Sequence, residues 1–367
     1  MLIFDGDYPM AYGALDLDRD LTLPLAEVRA MRRELEQAQR PHDGTMASLP
    51  ECRAAGMTAA LVKIACRIRR PNSPIWGLGS SEIAYAAGQA CIAYYRILDA
   101  RGEARVLTDG AQLAAHVAEW EASDVQDARP VGLVIGLEGT DPVLWPEQIH
   151  EWFDAGVRVA SLAHYGVSTY AHGTGRPGPL LDQGPALLRE MASCGMILDL
   201  THTAEEAFWQ ALDRYDGPVL ASHQNCRALV PGERQFSDEQ LRAILDRGAV
   251  IGVSMDTWML YPPGNLDWGG HHPERREVFA REDVTLQNLA DHVDHVCQLA
   301  GNATQAAIGG DTDGQGGRDG APADVDSVAD YRKLVAILRE RGYNQEDVAN
   351  VMFRNWTRFY AEHLPSS

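Results

Sequence analysis

His202 and His223 each close a short apolar run, MILDLTH and PVLASH, and the stretch between them, AEEAFWQALDRYDG, has the apolar spacing of one amphipathic helix followed by a turn. Runs of this length and β-rich composition read as buried parallel strands. Parallel strands joined by a helix end at the same edge of a sheet, so the two imidazoles are expected to face one mouth. Other ionisable residues close similar runs: Glu138 ends VGLVIGLEG, His164 ends VRVASLAH, Asp311 ends QAAIGGDTDG, and Asp5 and Asp7 follow LIF. Glu138, His202, His223 and Asp311, with Asp5 or Asp7, form a nitrogen and oxygen donor set without a thiolate. Such a set suits zinc or another divalent metal that holds a water for hydrolysis. Metal lowers the pKa of a water toward ~7, and a nearby unligated carboxylate, best Asp311, can take and return its proton. Glu138 could bridge two ions. Taken singly, a strand-end histidine is usually a hydrogen-bonded structural residue, and an Asp before Gly a turn residue. Several such groups at one end of successive apolar strands are costly to bury without a shared purpose, which points to a metal or catalytic site.

The elements that must hold these residues follow from the same pattern. Strand candidates are LIF with Asp5-Gly6-Asp7, TAALVKIACRI, VGLVIGLEG, VRVASLAH, MILDLTH, PVLASH, VIGVSMDTW (ending near Met255 and Asp256) and QAAIGGDTDG. They alternate with helical stretches, among them one starting at PLAEVRAMRRELEQAQ, one capped by Ser80 or Ser81, and one with a capping box of Ser237 and Gln240. Eight strands alternating with helices predict an α/β fold, a (β/α)8 TIM barrel, with the polar strand ends gathered on the C-terminal face where such barrels keep their sites. The loop YGVSTYAHGTGRPGP after His164 is long for a connection of this kind, so it is expected to cover or shape the site. No linker or composition shift divides the chain. Residues 1–367 are therefore expected to form one barrel domain, with C-terminal helices at about 326–364 packed on it.

Composition is that of an ordinary globular protein, 45% hydrophobic and 23% charged. The net charge of −20 argues against nucleic-acid and anionic-membrane partners and favours neutral, zwitterionic or cationic ligands. Six cysteines without a CxxC pair indicate neither a thiolate zinc site nor a redox motif. The N-terminus lacks the features of a signal peptide, and no stretch approaches the ~20 apolar residues of a membrane helix, so a cytoplasmic protein is expected. Two tempting motifs fail. Gly173-Thr174-Gly175-Arg176-Pro177-Gly178 fits GxGxxG, but it starts nine residues after His164 and its prolines spoil the receiving helix. The loop from Asp311 has Gly316 at the sixth position of a calcium loop but Pro322, not Glu, at the twelfth.

Taken in order, GLEG, RVASLAHYG, GMILDLTH, PVLASH, SDEQLRAI, HVDHV, IGGDTDG and RNWTRFY resemble the renal (membrane) dipeptidase family, metallopeptidase family M19, over nearly the whole chain. The resemblance implies a metal-dependent hydrolase barrel with two zinc ions that cleaves dipeptides, including ones with a D-residue on the C-terminal side. It also implies roles. Glu138 matches the carboxylate that bridges the metals, and His202 and His223 the histidines of the second metal. His164 matches the residue that steadies the oxyanion, and Asp311 the acid/base. Arg234 matches the arginine that grips the substrate carboxylate with its planar fork. Asp256 falls near a tyrosine position that contacts substrate. The first strand departs from the family's DGHxD: Asp7 stands for the histidine and can still bind metal, and Pro9 stands for the aspartate and cannot. One or two divalent ions per chain are thus expected, and a homodimer is what the family implies. The resulting expectation is a dipeptidase-like, metal-dependent hydrolase of a small dipeptide or amide with a free carboxylate. Two alternatives stand beside it: a barrel without catalysis that binds a small ligand or partner chain, and a mononuclear amidohydrolase that opens a cyclic amide.

Overall fold

Among the described residues there are nine parallel strands, most of them apolar runs buried on both faces: β1 (Ile3–Tyr8), β2 (Met57–Ile64), β3 (Ala104–Val106), β4 (Val131–Leu137), β5 (Val157–Ser161), β6 (Ile197–Asp199), β7 (Val219–Leu220), β8 (Ile251–Val253) and β9 (Ala306–Ile308). The computed structural model describes residues 1–36, 44–71, 73, 75–122, 129–264, 266–314 and 316–366. Neighbours follow the order β1-β2-β4-β5-β6-β7, and β8 pairs with β9. A parallel bridge between Ala221 and Ile251 carries the sheet from β7 to β8. The Asp311 N–H donates to the Asp7 carbonyl at 3.0 Å, which brings the chain after β9 back to β1. The sheet therefore curls on itself, and the (β/α)8 barrel expected from the sequence is the architecture observed.

The eight predicted strands are all present. β3 was not foreseen, nor was the helix Gly110–Glu121 that follows it. β3 is three residues long with an arginine at its centre, too short to show a period. It lies against Val131–Leu133, while β5 uses Ile135–Leu137 on the same strand, so β3 sits at the end of the barrel away from the site. Most predicted strands run past the observed ones, because the chain leaves the ladder where polar residues begin; β1 is the exception and continues through Asp5, Gly6 and Asp7 to Tyr8. The predicted helix at 24–39 is observed as Leu25–Glu36, and its last residues lie outside those described.

Closure is tight enough to dictate glycine. A Cβ on Gly6, in β1, would stand 2.5 Å from the Ser222 carbonyl and 2.7 Å from the Trp356 ring, and one on Gly252 would stand 2.0 Å from that same carbonyl. The C-terminal helix Asn355–His363 seals the seam between β1 and β9. Trp356 donates its indole N–H to the Ile308 carbonyl at 2.8 Å, Asn355 donates to the carbonyls of Ala303 and Ala306, and Tyr360 stacks on Phe4. Burial of a side chain of this size contributes roughly 1.5–3 kcal/mol, so the helix is part of the core. Ser237 and Gln240 form the predicted capping box, and Ser80, not Ser81, caps its helix. The six cysteines are free thiols, and among the described residues no helix is long and apolar enough to cross a membrane.

Candidate metal centre

Glu138 leaves β4 with its N–H still bonded to the Ile64 carbonyl, which holds it at the barrel mouth. Its Oε1 lies 3.6 Å from His202 Nε2 and 3.5 Å from His223 Nε2, and the two Nε2 atoms are 3.0 Å apart. Among the described residues these three form the group whose donor atoms are close enough to share one ion. Two donors ~2.0–2.1 Å from a tetrahedral ion lie roughly 3.3 Å apart, which is the spacing found here. His202 and Asp311 adopt positive φ, 68° and 63°, a conformation that costs a non-glycine residue roughly 1–2 kcal/mol. The chain accepts that cost as it turns out of β6 and out of β9, with the result that both side chains face the mouth.

The outer faces of both imidazoles are engaged. His202 Nδ1 is 2.8 Å from Thr174 Oγ1. His223 Nδ1 is 2.9 Å from Ser222 Oγ and 3.0 Å from Asp7 Oδ2. Ser222 donates its hydroxyl to Asp199 Oδ2 at 2.6 Å, so it accepts from His223, whose proton is thereby placed on Nδ1 and whose lone pair is left on Nε2. Burial, and then the Arg234 guanidinium, push both rings below the usual imidazole range, His223 to about 3. Both rings are neutral at neutral pH, as a metal ligand must be. Converging, buried, neutral imidazoles beside a carboxylate suit a divalent cation.

Behind the trio lies a charge cluster that the sequence reading missed. Lys63, fully buried on β2, places its ammonium 2.5 Å from Asp199 Oδ2 and 3.8 Å from Asp7 Oδ2. Burial works to raise the Asp199 carboxyl, yet Lys63 and His223 hold it well below the ordinary value. Burial raises Asp7 to about 7 against the pull of Lys63. A lone lysine inside TAALVKIACRI was the available signal. Asp7, proposed as a ligand, stands beside the far nitrogen of His223 and outside the trio.

A cavity of about 940 Å3 opens over the trio, and its wall includes Glu138, His164, His202, Arg234, Asp256 and Asp311. His164 Nε2 is 3.6 Å from Glu138 Oε1, and its Nδ1 is 3.0 Å from Arg67 Nη1. An arginine only donates, so Nδ1 accepts and the neutral ring carries its hydrogen on Nε2, toward the metal side. Burial and Arg67 keep this ring well below its usual pKa. Arg234 is fixed by Gln224 Oε1 at 2.8 Å and the His223 carbonyl at 3.0 Å. Asp311 accepts a long contact from Ser254, 3.4 Å, and burial followed by Asp7 and Asp256 raises its carboxyl well above the usual range. Asp256 caps the turn at Trp258 and receives Arg275 at 2.6 Å, both on Oδ1. The loop after His164 shapes the site, as expected, through Thr174. Arg67, Trp258 and Phe279, which were not foreseen, also line the wall.

Comparison with known proteins agrees with this geometry. A family model described as membrane dipeptidase (peptidase family M19) matches residues 21–363. The chain is 30% identical over 264 residues to an uncharacterised protein in the pqqA 5' region of Klebsiella pneumoniae, across 67% of this chain and 90% of that one. It is 34% identical over 214 residues to dipeptidase tcpJ of Claviceps purpurea, across 56% of this chain and 45% of that longer protein. In fold it is similar to a metallo peptidase from Rhodobacter sphaeroides liganded with a phosphinate mimic of the dipeptide L-Ala-D-Ala, with a TM-score of 0.75 at 20% identity over 100% of this chain and 99% of that one. With the family model spanning nearly its whole length, the chain belongs to the membrane dipeptidase family, peptidase family M19.

Proposed function

We propose that the protein is a metal-dependent, dipeptidase-like hydrolase that cleaves a small dipeptide or amide bearing a free carboxylate. The observation that carries this reading is the trio of Glu138, His202 and His223, with both Nδ1 atoms engaged and both Nε2 atoms 3.0 Å apart in a buried pocket. Glu138, His202 and His223 would hold a divalent ion, zinc or another, which would supply Lewis acidity and a hydrolytic water of lowered pKa. His164 points an Nε2–H at the same region and is placed to donate to the substrate carbonyl oxygen as negative charge develops there. Asp311, whose carboxyl titrates well above the ordinary range, takes a proton from the attacking water and returns it to the leaving nitrogen.

Arg234 is held by two hydrogen bonds on the cavity wall, and it presents a pre-oriented guanidinium to the substrate carboxylate. Asp256, bonded only through Oδ1 in the contacts above, offers its other oxygen to a cationic end of the substrate. The dipeptidase name of the Claviceps purpurea relative and the dipeptide mimic bound by the Rhodobacter sphaeroides structure support this substrate class. Metal analysis of the purified protein, with a panel of L,L- and L,D-dipeptides assayed after addition of zinc, manganese or cobalt, tests the proposal. The expected result is a bound divalent ion and release of free amino acids. No bound ion together with no hydrolysis of any dipeptide or amide overturns it.

A further inference from the structure

Lys63 is the buried residue whose role the hydrolytic reading leaves unassigned. β2 lies between β1, which carries Asp7, and β4, after which Glu138 follows. From there the lysine extends across the barrel interior to Asp199 at the end of β6. The ammonium has no solvent exposure and is shared by two buried carboxylates, Asp199 at 2.5 Å and Asp7 at 3.8 Å. Asp7 Oδ2 is buried, makes no well-aligned hydrogen bond, and lies 3.0 Å from His223 Nδ1. Two carboxylates held around one point, next to a histidine of the metal trio, describe a cation position, and the cation found there is a side chain.

A buried carboxylate pair without a counter-charge is strongly unfavourable, and a metal ion or an ammonium can each relieve it. An ammonium relieves it with a single charge and with hydrogen bonds in place of coordination. It also fills the volume from which a divalent ion would reach both oxygens. We propose that Lys63 is a built-in cation for the Asp7–Asp199 pair and that it limits the chain to a single divalent ion, held by Glu138, His202 and His223. The inference rests on the metal-site reading above and adds to it the number of ions and the reason for that number.

Metal-stripped protein is dialysed against excess Zn2+ or Mn2+, and bound metal per chain is counted by mass spectrometry for wild type, Lys63→Ala and Lys63→Gln. The expected result is one ion per wild-type chain, and a rise to two in the alanine variant as the vacated space between Asp7 and Asp199 admits a second ion. Lys63→Gln retains most of the stem for packing, so a second folded variant is at hand if alanine destabilises the barrel, and it too is expected to bind more than one ion. Two ions in the wild type, with Lys63 in place, overturn this inference and leave the hydrolase reading standing. A folded Lys63 variant that still binds one ion overturns it as well. No ion in the wild type removes the metal-site reading itself, and this inference falls with it. If neither variant folds, the wild-type count decides.

Discussion

The Nε2 atoms of His202 and His223 stand 3.0 Å apart, and the His223 atom carries a lone pair because Ser222 accepts its proton on the other side of the ring. A divalent cation between the two nitrogens would be ligated by that lone pair. A ligand that binds only the folded chain stabilises it by RT ln(1 + [L]/Kd), or about 2.7 kcal/mol at a hundredfold excess over Kd. Adding zinc or manganese to the metal-stripped protein is therefore expected to raise its melting temperature, and His202→Ala to abolish the rise while remaining folded. Calorimetry with and without metal checks both. An equal rise in His202→Ala would place the ion elsewhere.

Arg67 sets which nitrogen of His164 carries the hydrogen, because a guanidinium beside Nδ1 can only donate. Losing an oxyanion donor costs roughly 10²–10³ in kcat. His164→Ala is expected to show that loss. Arg67→Met leaves the ring present but free to adopt the other tautomer, so a smaller loss is expected, within roughly tenfold to a hundredfold, with KM little changed. Steady-state kinetics on one dipeptide measure both, and an Arg67→Met enzyme with unaltered kcat would remove Arg67 from this role.

Recognition of the carboxylate gives a third outcome. A hydrogen-bonded charged contact contributes roughly 1.5–3 kcal/mol, so Arg234→Lys, which retains charge but loses the fork, is expected to lower kcat/KM for a dipeptide by about tenfold or more. The same change should matter much less for the C-terminal amide of that dipeptide. Equal losses on the two substrates would show that Arg234 serves the protein through Gln224 and His223 and does not touch the substrate end.

What was legible from sequence follows from how strongly each feature had to be written. Strands buried on both faces must be continuous apolar runs, so eight of them, and the ionisable residues at their ends, could be read directly. β3 shows no period in three residues. The contacts that tune the site join positions far apart in the chain: Thr174 reaches His202, Arg67 reaches His164, and Lys63 reaches Asp199. No local pattern encodes such a pairing. The loop that carries Thr174 was expected to shape the site from its length, but nothing local marks Thr174 as the residue that meets His202. Lys63 interrupts an apolar strand, which signals a buried partner but does not say which carboxylate.

Away from the metal site, His292 ties the acid stability of the barrel to one ring. It accepts the Cys226 N–H at 3.0 Å on Nδ1, and burial pushes its pKa down to about 3. The unfolded ring titrates near ~6.5, so below that pH the unfolded state binds the proton that the folded state refuses. The contribution is therefore fully present above pH ~6.5 and is lost progressively as pH falls toward the folded value. Between pH 7 and 5.5 the loss from this one ring is about 1 kcal/mol. His292→Asn keeps an acceptor for Cys226 and does not titrate. Urea unfolding of metal-free protein at the two pH values is expected to show a drop about 1 kcal/mol smaller in His292→Asn than in wild type. An identical drop in both would mean that His292 is protonated within the fold, against the burial that surrounds it.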